Sequence, residues 1–161
     1  MKIKVYHGGT NVIEKPRVDV GRPNLDFGTG FYVTDIKQQA IDWAKRVCDR
    51  RQMLPVLNIY TLDRDTVLKN YQCKVFSEYD VQWLDFIVDS RNGKKPWAAY
   101  DYIEGGIAND RVIDTLSLYM SELITKEKAL EKLSEHRPNN QMCLLNQEII
   151  DKHLTYDGTE Q

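Results

Sequence analysis

Cysteine, histidine and long apolar runs are all scarce in this chain, and each scarcity closes off a class of protein. The 3 cysteines, Cys48, Cys73 and Cys143, form an odd set with no CxxC spacing. That argues against a disulfide framework or a cysteine zinc site and favours free thiols. Only 3 histidines occur, His7, His136 and His153, too scattered to imply a metal site. No apolar run approaches the ~20 residues of a membrane span, and the first residues lack a signal-peptide core. A cytoplasmic protein without membrane contact is expected. Neither sign of charge dominates: 22 basic against 24 acidic residues leave a net charge of −2, which argues against broad, charge-driven nucleic-acid binding. The cations Lys45, Arg46, Arg50 and Arg51 cluster late in a predicted helix, where they suit the helix dipole and solvate the surface. A nucleotide target stays open. Glycine and proline are modest, at 9 and 5 of 161 residues, as in an ordinary globular domain.

What is present is a series of periodic segments. Lys2 to His7 sets Ile3, Val5 and His7 against Lys2, Lys4 and Tyr6, the alternation of a half-buried strand. Gly8 to Gly28 has no sustained period and reads as a long loop, usually a functional feature inside a compact domain. Gly30 to Thr34 reads as a second strand. Asp35 is placed to cap the next helix, with Gln38 in the capping-box position and Ala40, Trp43, Ala44 and Val47 as an apolar stripe. Pro55 to Leu62 and Cys73 to Phe76 read as strands, and Val81 to Val88 as a helix ended by Arg91-Asn92-Gly93. Tyr100 to Ile103 is a short strand. Arg111 to Leu123 is a helix capped by Asn109 or Asp110, and a polar helix capped by Thr125 runs to about Glu135. After the turn Pro138-Asn139-Asn140, Gln141 to Leu145 is a strand that re-enters the core; Asn146 to His153 is a short helical stretch. The pattern is that of one α+β domain with helices inserted between sheet strands.

Two glycine-broken segments carry the chemistry. Val5-Tyr6-His7-Gly8-Gly9 and Asp26-Phe27-Gly28-Thr29-Gly30-Phe31-Tyr32-Val33-Thr34 each hold a ring beside glycines that let backbone approach a ligand. Taken singly, His7, Phe31-Tyr32 and Arg22 are more often structural or solvated residues. Their order and spacing together favour a site. Asp110 is expected to cap a helix, while Asp101 between two tyrosines stays undecided. Tyr79, Trp83 and Trp97 are read as core before acceptor-side residues.

A strand ending in His-Gly, a loop, and a strand reading Gly-Phe-Tyr-Val-Thr that opens a helix resemble the diphtheria-toxin/PARP-like branch of ADP-ribosyltransferases, with its His, Tyr and a third residue. More narrowly, Tyr6-His7-Gly8-Gly9, the Asp26–Tyr32 block, Trp83-Leu84-Asp85-Phe86-Ile87, Gly106-Ile107-Ala108-Asn109-Asp110 and Asn140-Gln141-Met142-Cys143 resemble the DUF3990 family. The resemblance implies an ADP-ribosyltransferase-like fold with a split, antiparallel-rich sheet core over residues 1–156; the last residues, 157–161, read as a frayed tail. It implies NAD as substrate. His7 would hydrogen-bond the adenosine-side ribose, Gly8 would offer its backbone to the nicotinamide amide, and Tyr32 would stack on nicotinamide. Arg22 would pair with the pyrophosphate, with Asn24, Asp26 and Phe31 as further cofactor-side candidates. Gln141 stands where the family pattern usually places Glu, keeping hydrogen-bonding reach without the charge that stabilises the developing cation. Glu148, seven residues on, is the weaker alternative acid.

The function implied is mono-ADP-ribosyl transfer to a protein or nucleic-acid acceptor, in a bacterial toxin that would bring a cognate antitoxin as partner. Two alternatives stay open. One is a catalytically silent NAD-, nucleotide- or partner-binding module. The other is an RNA 2′-phosphotransferase-like enzyme, which would need more basic residues around the pocket than Arg22.

Overall fold

Apolar residues at every second position build two small sheets here, and the direction each set faces decides the layers. The computed structural model describes residues 1–21, 25–136 and 139–161. β1 (Lys2–Gly9) pairs antiparallel with β3 (Val56–Asp63), which pairs antiparallel with β7 (Leu154–Glu160). The second sheet runs in the order β2 (Phe31–Val33), β6 (Gln141–Leu144), β5 (Tyr102–Gly105), β4 (Cys73–Val75). All its pairs are antiparallel except β4 with β5. The sheets meet at the bridge between Tyr6 and Thr34, where Tyr6 N–H donates to Thr34 O at 2.8 Å and Thr34 N–H to Tyr6 O at 2.9 Å.

Six α-helices complete the described residues: α1 (Lys37–Arg51), α2 (Arg64–Asn70), α3 (Val81–Arg91), α4 (Asp110–Met120), α5 (Lys126–Leu133) and α6 (Gln147–His153). The α+β class read from the sequence holds. The four-stranded sheet has a core on each face. Phe31, Val33, Tyr102, Met142 and Leu144 meet Val5, Tyr60 and Leu62 of the three-stranded sheet, with Ile149 and Ile150 of α6. On the other face Ile103 and Cys143 meet Trp83, Leu84 and Ile87 of α3, Val112 and Leu116 of α4, and Leu133 of α5. Tyr79 and Trp83 are core residues, as expected, and each bonds a backbone carbonyl: Tyr79 Oη to Ile107 at 2.5 Å, Trp83 Nε1 to Gly106 at 3.1 Å.

Several local readings are corrected. Asp35 does not cap α1. Ile36 holds the N-cap position, its N–H donating to Thr34 Oγ1 at 3.1 Å, while Asp35 faces Asn140. Trp43 is not part of the buried stripe, which is Ala40, Ala44 and Cys48; the indole is 43% exposed. The end of the chain does not fray: β7 pairs Glu160 with Leu57 and Thr159 with Asn58, and Asp157 accepts from Lys4 Nζ at 2.6 Å and Thr61 Oγ1 at 2.5 Å. Within it Gly158 takes a φ of +132°, beside an irregularity in register against Ile59 and Tyr60. Pro138 lies outside the described residues.

Candidate functional site

The period of β1 turns Val5 and His7 toward the space between the sheets and Gly8 toward α1. The imidazole of His7 stacks on Phe31, with ring centroids 4.6 Å apart and 27° between planes. Its Nδ1 lies 2.7 Å from the Tyr32 carbonyl oxygen, so Nδ1–H donates and Nε2 keeps its lone pair as an acceptor. No described residue bonds Nε2. Burial holds the imidazole below its ordinary value of 6.5, outweighing the opposite effect of the Tyr32 carbonyl. At neutral pH the ring is therefore uncharged.

This burial has a consequence for stability. Below pH 6.5 the unfolded chain takes up a proton that folded His7 refuses, so stability should fall on acidification until the depressed folded value is passed. His7→Asn retains a donor to the Tyr32 carbonyl but does not titrate. Its denaturation midpoints across pH 7 to 5 should fall less steeply than those of the unaltered chain. Identical slopes would assign the loss to other groups.

Tyr32 follows Phe31 in β2, so its ring lies on the opposite face, against the cluster containing Cys143. Its hydroxyl donates to the Gly28 carbonyl at 2.6 Å and accepts from Phe27 N–H at 3.1 Å. Burial, then the neighbouring Cys143, push this phenol far above its ordinary range. It serves as a neutral hydrogen-bonding ring, not as a base. Cys143 is likewise pushed up by burial and is an unreactive thiol.

Gln141 opens β6 opposite Gly105 and shares the Tyr32 face of the sheet, because Tyr32 pairs with Cys143 two residues along. Its half-buried amide bonds no other described residue. The preceding carbonyl, that of Asn140, accepts from Thr34 Oγ1 at 2.6 Å and Gln39 Nε2 at 3.0 Å. Thr34 thus joins the strand of His7 to the strand of Gln141. His7, Tyr32 and Gln141 converge on one junction through the main chain, with the rings of His7 and Tyr32 on opposite faces of β2. A ligand touching both must lie across the edge where β1 leaves β2.

Gly8 occupies that edge. Tyr6 turns both backbone groups to Thr34, so strand alternation turns those of Gly8 to the same side, away from β3 and beyond the bridge. Asn58, fully buried and opposite His7, holds the following loop by accepting from Ile13 N–H and donating to Asn11 O, each at 2.9 Å. Sequence reasoning passed over Asn58, although an amide inside an apolar strand is the available signal.

The other expected residues stand elsewhere. Asp26 forms a two-point pair with Arg91 of α3 at 2.9 and 3.3 Å, and Phe31 is buried beneath His7. Arg22 and Asn24 lie outside the described residues. Glu148 pairs with Lys152 on α6 at 2.7 Å, which holds its carboxyl below the ordinary range. Asp101 accepts from Gln72 N–H at 3.0 Å and Asn146 Nδ2 at 3.2 Å, tying strand ends together. Asn109, not Asp110, supplies the cap of α4, accepting from Val112 N–H. No group of three His, Cys, Asp or Glu able to hold a metal occurs among the described residues. Two grooves, of about 450 Å³ beside Leu123 and about 380 Å³ beside Gln147, are not lined by His7, Tyr32 or Gln141.

By class this is an α+β protein whose two sheets meet at the Tyr6–Thr34 bridge. The profile described as "Protein of unknown function (DUF3990)" matches residues 3–156, and the chain belongs to that family. No curated protein and no solved structure matches it.

Proposed function

We propose that the protein is an NAD-dependent mono-ADP-ribosyltransferase, cleaving the nicotinamide–ribose bond at the junction of its sheets. The observation that carries this reading is the neutral His7, its Nδ1–H tied to the Tyr32 carbonyl and its Nε2 left as an acceptor beside the Gly8 edge. Nε2 would accept a ribose hydroxyl. The backbone of Gly8 would bond the nicotinamide amide, the ring of Tyr32 would stack, and the unpaired amide oxygen of Gln141 would accept the 2′-hydroxyl of the reacting ribose. As the bond breaks, its electron pair leaves with nicotinamide, and a nucleophile on the acceptor attacks the ribose carbon and loses its proton. A dinucleotide is long enough to lie across both faces of β2. The role as a toxin checked by an antitoxin rests on the family resemblance alone.

A second reading, a module that binds NAD without turning it over, is favoured by the missing charge at Gln141. Labelled NAD incubated with a bacterial lysate separates the two. The transferase should release nicotinamide and label an acceptor, His7→Asn should lower the rate about tenfold or more, and Gln141→Glu should raise it. Calorimetric binding with no turnover would establish the silent module. Absence of binding would sink both readings.

A further inference from the structure

Helix α1 is strongly basic in a chain of net charge −2, carrying 5 basic residues against 2 acids. Its buried side is Ala40, Ala44 and Cys48. Gln39, Trp43, Arg46 and Arg50 fall within about 60° of one another on the far side, with Asp42 and Asp49 along one flank. Arg46 and Arg50 have no ion-pair partner among the described residues, and neither do Lys45 and Arg51 beside them. A helix dipole accounts for cations in the last turn, Arg50 and Arg51, but not for Arg46 at mid-helix or for an open indole at Trp43.

The stripe also begins at the candidate site. Gln39, its first residue, donates to the Asn140 carbonyl next to Gln141, and from there the stripe extends about 16 Å along the helix. An exposed indole followed along the same helix face by two guanidinium groups has the chemistry of a base-stacking platform with phosphate partners beside it. A paired duplex hides the base faces that such a ring needs.

We propose that this face of α1 binds single-stranded nucleic acid, which makes the acceptor of the reaction a nucleic acid. The acceptor assignment rests on the transferase reading; the binding itself does not. Overall charge argued against broad nucleic-acid binding, and a stripe confined to one helix face agrees with that.

The test uses the whole protein without NAD, a fluorescein-labelled single-stranded oligonucleotide of mixed sequence, and the same sequence as a duplex. At low salt the single strand should bind more tightly than the duplex and quench the indole. Trp43→Ala should weaken binding about tenfold. Arg46→Ala with Arg50→Ala should reduce the slope of log affinity against log salt by about 1.4. The assay contains no NAD and reads binding alone, so a failed transferase reading leaves this result standing. These side chains are exposed, and circular dichroism should show the variants folded. No binding at low salt, binding indifferent to Trp43→Ala, or equal displacement by an acidic polypeptide would each overturn the proposal.

Discussion

Gly8→Ala should lower the unfolding free energy by about 3 kcal/mol, the upper part of the range for overpacking. The added Cβ would stand 2.0 Å from the carbonyl oxygen of Ala40, 2.9 Å from its carbon and 3.1 Å from the Ala44 Cβ. Two of these atoms are helix backbone and cannot rotate away. Relief requires α1 to lift from β1, or β1 to shift and strain the Tyr6–Thr34 bridge that joins the sheets. Gly9→Ala is the internal control. Its Cβ would meet only the His7 ring, at 3.7 Å from Nε2, an ordinary contact. The first substitution should move the denaturation midpoint far to lower denaturant and the second should barely move it. Equal midpoints would mean that α1 is not seated on Gly8.

The same residue shows how far the sequence could be read. His-Gly-Gly was legible as a place where backbone must be approached closely, but a motif cannot say by what. The structure places α1 against the Cα of Gly8 while its backbone groups face the junction, so packing and ligand readings occupy different sides of one residue. Periodic segments were legible because burial imposes the period. The alternation of β1 and the stripes of α3 and α4 follow from that, and the caps Asn109 and Thr125 from local hydrogen bonding. What escaped had no local period. Helix α2 buries only Val67, and β7 is an edge strand of half-exposed, partly polar residues, so neither needs an apolar pattern. Long-range partners were invisible for the same reason: Asp26 finds Arg91 across 65 positions, and Thr34 finds Asn140 across 106. At the site, the types and order of His7, Tyr32 and Gln141 were readable. That two rings would lie on opposite faces of β2 followed only once Phe31 was seen beneath His7.

Arg64→Met should cost about 3–5 kcal/mol, because it strands a buried carboxylate. Glu104, on β5 beside Gly105, is 5% exposed and has both oxygens engaged. Arg64 Nε and the Tyr102 hydroxyl donate to Oε1 at 2.9 and 2.6 Å, and a terminal Arg64 nitrogen donates to Oε2 at 2.6 Å. Without the guanidinium, only the phenol would remain. Arg64→Met combined with Glu104→Gln should lose less than Arg64→Met alone, since the amide oxygen still accepts from Tyr102 and no charge is buried. That asymmetry matters for the fold. Arg64 directly follows β3 of the three-stranded sheet, Glu104 belongs to the four-stranded one, and Gly105 pairs with Gln141. The ion pair therefore ties the two sheets together, as Tyr6–Thr34 does on the β1 side. Its rupture should loosen the alignment of Gln141 relative to His7 as well as the fold. Urea midpoints for the four members of this mutant cycle measure the coupling. Additive losses would show that Glu104 and Arg64 do not act as a pair between the two sheets.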